Sequence, residues 1–182
     1  LDSDAQSTAL ADSKFTHDIT IPTTISSGQH TITVEVEDSF GNEGSSSLTI
    51  DVDPKATSIE NRISNTTLNP EEQLSIGVTL YDQAGDIMTD LVHLDVYDAN
   101  NGVVSQTEIA SEESITYRIP QFAPPGEWTI KSYYNDEETE QEILSSTDIL
   151  AINEIQKLEY EIIGEKIYIT NVGNVRYTQD LE

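Results

Sequence analysis

Acidic and amide side chains in two neighbouring loops are the residues of this sequence whose types best suit a chemical role. They are Asp82, Asp86 and Asp90 in the first loop and Asp98 and Asn100 in the second. Calcium is bound by several carboxylate and carbonyl oxygens, which loops of this composition can supply. The spacing is not that of an EF-hand loop, and turns favour Asp and Asn for conformational reasons alone. Calcium binding is therefore one hypothesis, and a turn-forming role is the alternative.

Three tyrosines form a second candidate site, one for carbohydrate. Tyr97, Tyr133 and Tyr168 lie in alternating segments and can point away from a core. A row of exposed aromatic rings with polar hydroxyl groups suits a sugar surface. Tyrosine is also common on solvent-facing sheets, so a structural role is the alternative. Trp128 is expected to fill the core instead.

The histidines do not predict catalysis. His17, His30 and His93 are the only three in the chain. His93 and Asp95 lie two residues apart on one predicted strand and share a face, but no third ligand is adjacent and cysteine is absent. No nucleophile elbow, phosphate loop or zinc-protease motif occurs. The sequence thus predicts a protein that is not an enzyme and that binds no cofactor other than calcium.

A single N-glycosylation sequon occurs, at Asn65-Thr66-Thr67. It precedes the turn signal Asn69-Pro70, which indicates an exposed position. Glycosylation of Asn65 requires that the chain lies outside the cytoplasm.

The charge is strongly acidic, with 34 Asp and Glu against 8 Lys and Arg and a net charge of −26. A surface of this sign repels nucleic acid and anionic lipid, so neither is an expected partner. High acidity with few lysines is typical of proteins that work in strong brine, where salt screens the repulsion between carboxylates. A generic acidic secreted protein is the alternative. No apolar run reaches the length of a membrane span, and the absence of cysteine excludes disulfides and thiol chemistry.

A self-match at an offset of 98 residues organises the chain. In this match His30 falls opposite Trp128, so the histidine is expected at the same partly buried strand position. A period near one hundred residues is typical of immunoglobulin-like sandwiches arranged in tandem. The matched segments are Ile21-Pro22 with Ile119-Pro120, Gly28 with Gly126, and Thr31-Ile32 with Thr129-Ile130.

Apolar residues alternate with polar ones between turn signals along most of the chain, which predicts short β-strands and no helix. The fold class predicted is all-β, with immunoglobulin-like β-sandwich repeats and one complete unit flanked by partial units. Residues 1–54 form the C-terminal half of one sandwich in this interpretation, 55–148 a complete sandwich and 149–182 the N-terminal half of a third. The predicted strands are 15–21, 30–36, 48–52, 59–63, 74–80, 92–96, 103–109, 115–119, 128–134, 140–144, 158–162 and 167–169.

Each unit needs two opposed sheets to bury its apolar residues. The complete unit is expected to bury one shared core, made of Ile76, Val78, Leu94, Val96, Ile119, Trp128 and Ile130. The partial units lack an opposing sheet, so each is expected to pack on the complete unit or to be completed by other protein.

Three passages resemble known surface proteins. Residues 28–42 (GQHTITVEVEDSFGN) and 125–136 (PGEWTIKSYYND) resemble the penultimate strand and final turn of bacterial and archaeal immunoglobulin-like surface repeats. Residues 166–177 (KIYITNVGNVRY) are similar to the opening of sandwich repeats in archaeal cell-surface proteins, where a strand runs into an N-x-G-N turn. The resemblance implies repeats of haloarchaeal type in adhesins, in surface-layer-associated proteins or in the stalks of secreted enzymes.

Two functions follow as expectations. The first is a non-catalytic segment of an extracellular stalk or adhesin at the cell surface, acting as spacer and interaction scaffold in high salt. Its partners would be other domains of the same chain and a cell-surface protein or glycan. The alternative is an ancillary carbohydrate-binding module of a secreted hydrolase. Further repeats and a membrane anchor in the parent protein would favour the first, and an exposed aromatic row or a catalytic domain the second.

Overall fold

The computed structural model describes residues 18–135 and 140–179, and all regular structure in these ranges is β-strand. Within them, no helix is long and apolar enough to cross a membrane. The strands, in chain order, are β1 (Gly28–Glu37), β2 (Glu43–Val52), β3 (Ser58–Ile63), β4 (Thr67–Leu68), β5 (Gln73–Tyr81), β6 (Ile87–Met88), β7 (Leu91–Tyr97), β8 (Val103–Ala110), β9 (Ser114–Arg118), β10 (Gly126–Asn135), β11 (Glu142–Ile152), β12 (Leu158–Ile163) and β13 (Lys166–Asn171).

Strands β3 to β11 form a sandwich of two sheets. In one sheet β5 pairs with β3 along one edge and with β6 and β9 along the other. The second sheet has the order β4-β11-β10-β7-β8, in which β4 and β11 are parallel and the other pairs antiparallel. The chain therefore changes sheet between β3 and β4. The predicted all-β, immunoglobulin-like sandwich is confirmed.

The core lies between these sheets, because alternate residues of each strand point inward. Trp128 sits at its centre, 1% exposed, and its indole N–H donates to the carbonyl oxygen of Pro124 at 2.9 Å. The one polar atom of this side chain is thus satisfied inside the core. The seven residues predicted to share the core are all at most 1% exposed: Ile76, Val78, Leu94, Val96, Ile119, Trp128 and Ile130.

Three hydrogen-bonded polar side chains, one buried and two half-buried, connect the two sheets. The hydroxyl of Ser132, which is fully buried, donates to the side-chain oxygen of Asn61 at 2.5 Å. The amide of Asn61 in turn donates to a carboxylate oxygen of Asp148 at 2.8 Å. An unpartnered polar group at this depth would cost free energy, so these bonds favour one register of β3 against β10 and β11.

Strand β11 is longer than predicted. The sequence indicated a strand over 140–144 and a linker or new strand from residue 149, but β11 runs to Ile152 and pairs with β10 over its length. The polar residues 145–148 hide the alternation, whereas Leu150 and Ile152 point into the core and are 0% and 3% exposed. Residues 149–152 thus belong to the sheet of the sandwich. Apart from these residues, the predicted boundary between the units 55–148 and 149–182 stays a prediction.

The predicted first strand over 15–21 is wrong in the part that the structure describes. Residues 18–21 form no strand, while 15–17, with His17, lie outside the described residues. The corresponding strand of the sandwich, β9, is held by pairing with β5, and no described strand offers that pairing to residues 18–21. Each flanking segment therefore contributes two described strands, the hairpins β1–β2 and β12–β13, where about three were expected.

The self-match of the sequence is a repeat of backbone geometry. Strands β1 and β10 begin at Gly28 and Gly126, whose φ angles of 100° and 119° lie in the left-handed region that favours glycine. The preceding turns have the same bond, from Ile25 N to Pro22 O and from Ala123 N to Pro120 O, both 3.1 Å. The side chains that follow make equivalent contacts. His30 Nε2 lies 2.8 Å from Ser26 O, and the Trp128 indole N–H donates to Pro124 O.

Replacement of Trp128 by alanine is expected to destabilise the sandwich by about 3–5 kcal/mol, because it opens a cavity in a closely packed core. The matched control is His30→Ala, since His30 occupies the equivalent position of β1 but is only half-buried. We expect the control to change the free energy of unfolding by less than about 1 kcal/mol. Urea unfolding of both variants measures the difference in the free energy of unfolding. An equal loss in both variants would show that burial of Trp128 in the core does not explain its contribution.

Candidate functional site on the outer face of the large sheet

Polar and aromatic side chains on the outer face of the five-stranded sheet interact with one another across three strands. Outward positions of β7 are His93, Asp95 and Tyr97, and β10 places Tyr133 opposite His93 and Lys131 opposite Asp95. On the other side β8 adds Gln106 and Glu108. We call these seven residues the outer-face cluster: His93, Asp95, Tyr97, Gln106, Glu108, Lys131 and Tyr133.

Asp95 is the buried centre of the outer-face cluster. It is 5% exposed although it points away from the core, because neighbouring side chains cover it. Its Oδ2 accepts the hydroxyl of Tyr97 at 2.9 Å and the amide of Gln106 at 3.2 Å. Hydrogen bonds of this kind offset the cost of removing a carboxylate from water. The same bond from Tyr97 to Asp95, with burial and the Asp95 charge, raises the pKa of Tyr97.

Tyr133 is held between two other members of the cluster. The His93 ring stacks on it with centroids 4.8 Å apart and an interplanar angle of 12°. The ammonium of Lys131 lies 5.0 Å from the ring centroid and also contacts Glu142 of β11 at 2.5 Å. The ring is therefore contacted by His93 of the neighbouring strand β7 and by Lys131 of its own strand β10. Burial is the main cause that raises the pKa of Tyr133.

These contacts bear on the predicted carbohydrate site. The structure brings Tyr97 and Tyr133 onto one sheet face, but Tyr168 lies on β13, in a different sheet. The hydroxyl of Tyr97 donates to Asp95, and the ring of Tyr133 already stacks with His93 and lies 5.0 Å from the Lys131 ammonium. Binding of carbohydrate at these residues stays a prediction, and the geometry offers no exposed row of three rings.

Both nitrogens of His93 have neighbours. Nδ1 lies 3.2 Å from a carboxylate oxygen of Glu108, and Nε2 lies 3.3 Å from the amide nitrogen of Asn135. A neutral ring that donates from Nδ1 and accepts at Nε2 satisfies both contacts. His93 and Asp95 share a face as predicted, but each has its own partners. In the described part of the chain, no three His, Asp or Glu side chains are arranged to hold a metal ion.

A shallow cavity of about 390 Å³ opens beside His93. Thr89, Asp90, Leu91, Tyr134 and Asn135 line the rest of it. Asp90 accepts the hydroxyl of Tyr134 at 3.0 Å there, so its carboxylate is part of the wall. In the sequence Asp90 falls in a loop with Asp82 and Asp86, and nothing there indicates that it lies near His93.

The other calcium candidates lie in two turns, and calcium binding by them stays a prediction. One Asp82 oxygen accepts the N–H groups of Ala84 at 2.8 Å and Asp86 at 2.9 Å. Burial would raise the pKa of Asp82, but the N–H groups of Asp86 and Ala84, with Ser27, lower it below its ordinary value. Asp98 likewise accepts the N–H groups of Asn100 and Gly102, both at 2.8 Å.

The same turn occurs a third time, at Asp38, which accepts the N–H groups of Phe40 and Asn42 at 2.8 and 2.9 Å. In all three turns the residue three positions after the Asp has a left-handed φ, which explains the recurring pattern D-x-x-[G/N]. This pattern was visible in the sequence and favours the turn-forming role for Asp82 and Asp98. The left-handed residues are Gly41 (φ 80°), Gly85 (φ 84°) and Asn101 (φ 61°).

Asn65 lies between β3 and β4 and is exposed, at the kind of position that the sequon predicted. The side chain is therefore accessible to a glycosylating enzyme, and its modification stays a prediction.

No family model and no curated protein matches the chain. Among solved structures it is similar to the CARDB domain of a Pyrococcus furiosus protein in complex with di-metal ions, with 15% identity, a TM-score of 0.38 and coverage of 55% of this chain and 89% of that one. It is also similar to dimeric latent PorU from Porphyromonas gingivalis, with 12% identity, a TM-score of 0.39 and coverage of 71% of this chain and 13% of that one. Similarity at this level carries no functional assignment.

Replacement of Asp95 by asparagine is expected to lower the pKa of Tyr97 towards its ordinary value of about 10, because the charge that favours the protonated phenol is lost. A raised pKa in the folded state stabilises the protein below pH about 10, and this stabilisation is lost as the pH rises through the folded pKa. The variant should therefore lose this part of the pH dependence of its stability. NMR titration of ¹³C-labelled tyrosine measures the pKa of Tyr97 in both proteins.

Tyr117 is the internal control for this titration. Burial alone raises its pKa, and it lies on β9 in the other sheet. The pKa of Tyr117 should be the same in both proteins. If the pKa of Tyr97 were also the same in both, the role given to Asp95 would be contradicted.

Proposed function

We propose that this chain is a non-catalytic segment of an extracellular surface protein, in which immunoglobulin-like sandwiches follow one another as a spacer and interaction scaffold in high salt. The observation that carries the proposal is a hydrogen-bonded junction that occurs in the same form at both ends of the sandwich.

The first junction is made by Gln83, in the turn after β5. Its amide nitrogen donates to the carbonyl oxygens of Ile25 at 3.0 Å and Asp53 at 3.4 Å. Its amide oxygen accepts the backbone N–H of Lys55 at 2.7 Å. One side chain of the sandwich therefore holds both the segment that enters β1 and the connector from β2 to β3.

The second junction is made by Asn174, in the turn after β13. Its amide nitrogen donates to the carbonyl oxygens of Ala123 at 3.0 Å and Asn153 at 2.9 Å. Its amide oxygen accepts the backbone N–H of Ile155 at 2.7 Å. Here the side chain belongs to the following hairpin and holds the sandwich. We call Gln83 and Asn174 the junction clamps.

The two clamps bind equivalent backbone groups. Ala123 follows Ile25 by the 98 residues of the sequence repeat, and Asn153 and Ile155 follow Asp53 and Lys55 by 100 residues. The connectors are also alike, since residues 53–57 and 153–157 are five residues each and contain no glycine. Successive units are thus joined by one repeated geometry.

A repeated, bonded junction is what a spacer requires. Each of the three hydrogen bonds of a clamp contributes on the order of 1 kcal/mol, and a short connector without glycine restricts rotation, unlike a flexible Gly/Ser linker. Units held in this way extend in a constant direction and keep whatever lies beyond them at a defined distance. The net charge of −26 supports a solvated surface in concentrated salt.

The alternative, a carbohydrate-binding module of a secreted hydrolase, has weaker support. Its candidate rings are Tyr97, which is bonded to Asp95, and Tyr133, which is covered by His93 and Lys131. Retardation of the protein in gels that contain polysaccharide would favour this alternative over the spacer.

Replacement of Gln83 by alanine is expected to loosen the hairpin β1–β2 from the sandwich, because all three bonds of the first clamp are lost. Amide ¹⁵N relaxation measures this directly: order parameters of β1 and β2 should fall while those of β5 and β10 stay unchanged. Asn174→Ala is the matched control, since it should loosen β12–β13 and leave β1–β2 as it is. Equal rigidity of both hairpins in both variants would contradict the clamp and with it the rigid spacer.

The surface location has its own test. Antibodies raised against this chain should label intact cells of the source organism without permeabilisation, because the segment is expected outside the membrane. Labelling that requires permeabilised cells would contradict an extracellular spacer, whatever the rigidity of its junctions.

A further inference from the structure

A shallow cavity of about 300 Å³ opens on the outer side of the smaller sheet, away from the outer-face cluster. The strand pairing places Arg62 of β3 beside Gly77 of β5, and Gly77 beside Ser114 of β9. This row points outward, because Ile76 and Val78 on either side of Gly77 are fully buried in the core. We call it the Arg62 cavity, and Ser64, Ser75 and Glu112 complete the polar part of its lining.

Gly77 keeps the floor of the Arg62 cavity open. It lies inside β5, and its φ is not in the left-handed region, so the backbone does not require glycine at this position. A Cβ on this residue would lie 3.3 Å from the carbonyl oxygen of Glu113 and 3.5 Å from Arg62 Nε. Glycine within a strand often marks a place where a ligand approaches the backbone closely. Here its missing side chain leaves space directly beneath the guanidinium.

The guanidinium of Arg62 retains donors for a ligand. Its Nη2 donates to the carbonyl oxygen of Glu112 at 3.4 Å, and the ion pairs found in the described part of the chain do not include Arg62. Arg118, on the same sheet face, is paired with Glu71 at 3.3 Å. In a chain with 34 acidic and 8 basic residues, a guanidinium without a carboxylate partner is well placed to accept a carboxylate from outside.

Serine residues surround the guanidinium with further donors. The hydroxyl oxygen of Ser64 accepts the backbone N–H of Ser75 at 3.0 Å, so its own proton can be donated to a ligand. Ser75 and Ser114 add two more hydroxyl groups to the lining. A polar cavity with one guanidinium and three hydroxyls suits a ligand that carries both a carboxylate and several hydroxyl groups.

Glu112 fixes one wall of the cavity in an unusual conformation. Its φ of 71° lies in the left-handed region although it is not glycine, and its backbone N–H is held by the carbonyl oxygen of Val78 at 2.8 Å. Backbone strain of this kind is found preferentially at ligand sites. The Glu112 carboxylate is the one negative charge of the lining and opposes an anionic ligand, which gives the proposal below a second point of attack.

We propose that the Arg62 cavity binds an acidic sugar residue, a uronate, by its carboxylate. The guanidinium donates two parallel charge-assisted hydrogen bonds to the carboxylate, and the serine hydroxyls bond the hydroxyl groups of the sugar ring. An acidic peptide offers the same carboxylate but not the ring hydroxyls, so the serines favour the sugar. The site lies on the sheet opposite Tyr97 and Tyr133 and does not use them. The net charge of −26 repels an anion at long range, so binding is expected where salt screens this repulsion.

NMR titration of the ¹⁵N-labelled full chain in about 1 M NaCl tests the proposal, since the Debye length is about 3 Å there. Sodium D-glucuronate and D-glucose are matched probes, because they differ only in the carboxylate that replaces a hydroxymethyl group. Glucuronate should shift the amide signals of Gly77 and Ser114 and the Nε–H signal of Arg62. Glucose should bind at least about tenfold more weakly, because it lacks the charge-assisted bonds. Sodium acetate, which lacks the ring hydroxyls, should also bind more weakly than glucuronate.

Variants locate the binding in the cavity. Arg62→Gln should weaken glucuronate binding at least about tenfold, and Arg62→Lys should weaken it as well because the charge remains but the planar fork is lost. Glu112→Gln should strengthen binding, since it removes the opposing charge. Arg118→Gln is the matched control, because it removes a cation from the same sheet face outside the cavity, and this variant should bind like the unmodified protein. An unshifted indole N–H signal of Trp128 shows that each variant keeps its core.

Four outcomes would overturn the proposal. They are the absence of shifts at the cavity, glucose that binds as tightly as glucuronate, acetate that binds as tightly as glucuronate, and an equal loss of binding in Arg118→Gln and Arg62→Gln. The third would indicate a carboxylate site of the kind that an acidic peptide fills, and the fourth would indicate unspecific ion binding. The spacer function does not depend on the result, because the junction clamps lie outside this cavity and are tested by their own variants.

Discussion

The packing of β10 and β11 on β3 and β5 is the interaction on which the other features of the protein depend. Aliphatic side chains from both sheets meet Trp128 there and leave almost no exposed surface. Burial of apolar surface, at about 25 cal/mol per Å², is what makes this contact stabilise the fold. Ser132 and Asn61 add a polar connection within it, which an alternative register would leave unsatisfied.

The outer face follows from this inner contact. Once Val92, Leu94 and Val96 point into the core, the residues between them must point out, because neighbouring residues of a strand face opposite sides. The buried carboxylate of Asp95 and the stacked pair His93–Tyr133 are therefore placed by the core and held by their own bonds. The result is a covered, mutually bonded polar layer rather than an open platform of aromatic rings.

The sequence predicted those parts of the fold in which alternation is unbroken. Strands 74–80 and 92–96 lie within β5 and β7 because every second residue is aliphatic. The end of β11 was missed because Ser145, Ser146 and Thr147 interrupt the pattern, and pairing with β10 compensates for their polarity. The junction clamps could not be predicted at all. Gln83 and Asn174 are amides in polar turns, and only the fold shows that each bonds an equivalent set of three backbone groups.

The comparison of His30 with Trp128 shows which parts of the repeat are local and which depend on a partner. Both side chains reach the backbone oxygen four residues before them, His30 with Nε2 and Trp128 with its indole N–H, so the glycine turn and the first residues of the strand form from local bonds. The tryptophan additionally fills space between two sheets, whereas the histidine faces a side of β1 that no described strand covers. A hairpin can thus keep the backbone geometry of the repeat without the opposing sheet that covers its counterpart in the sandwich.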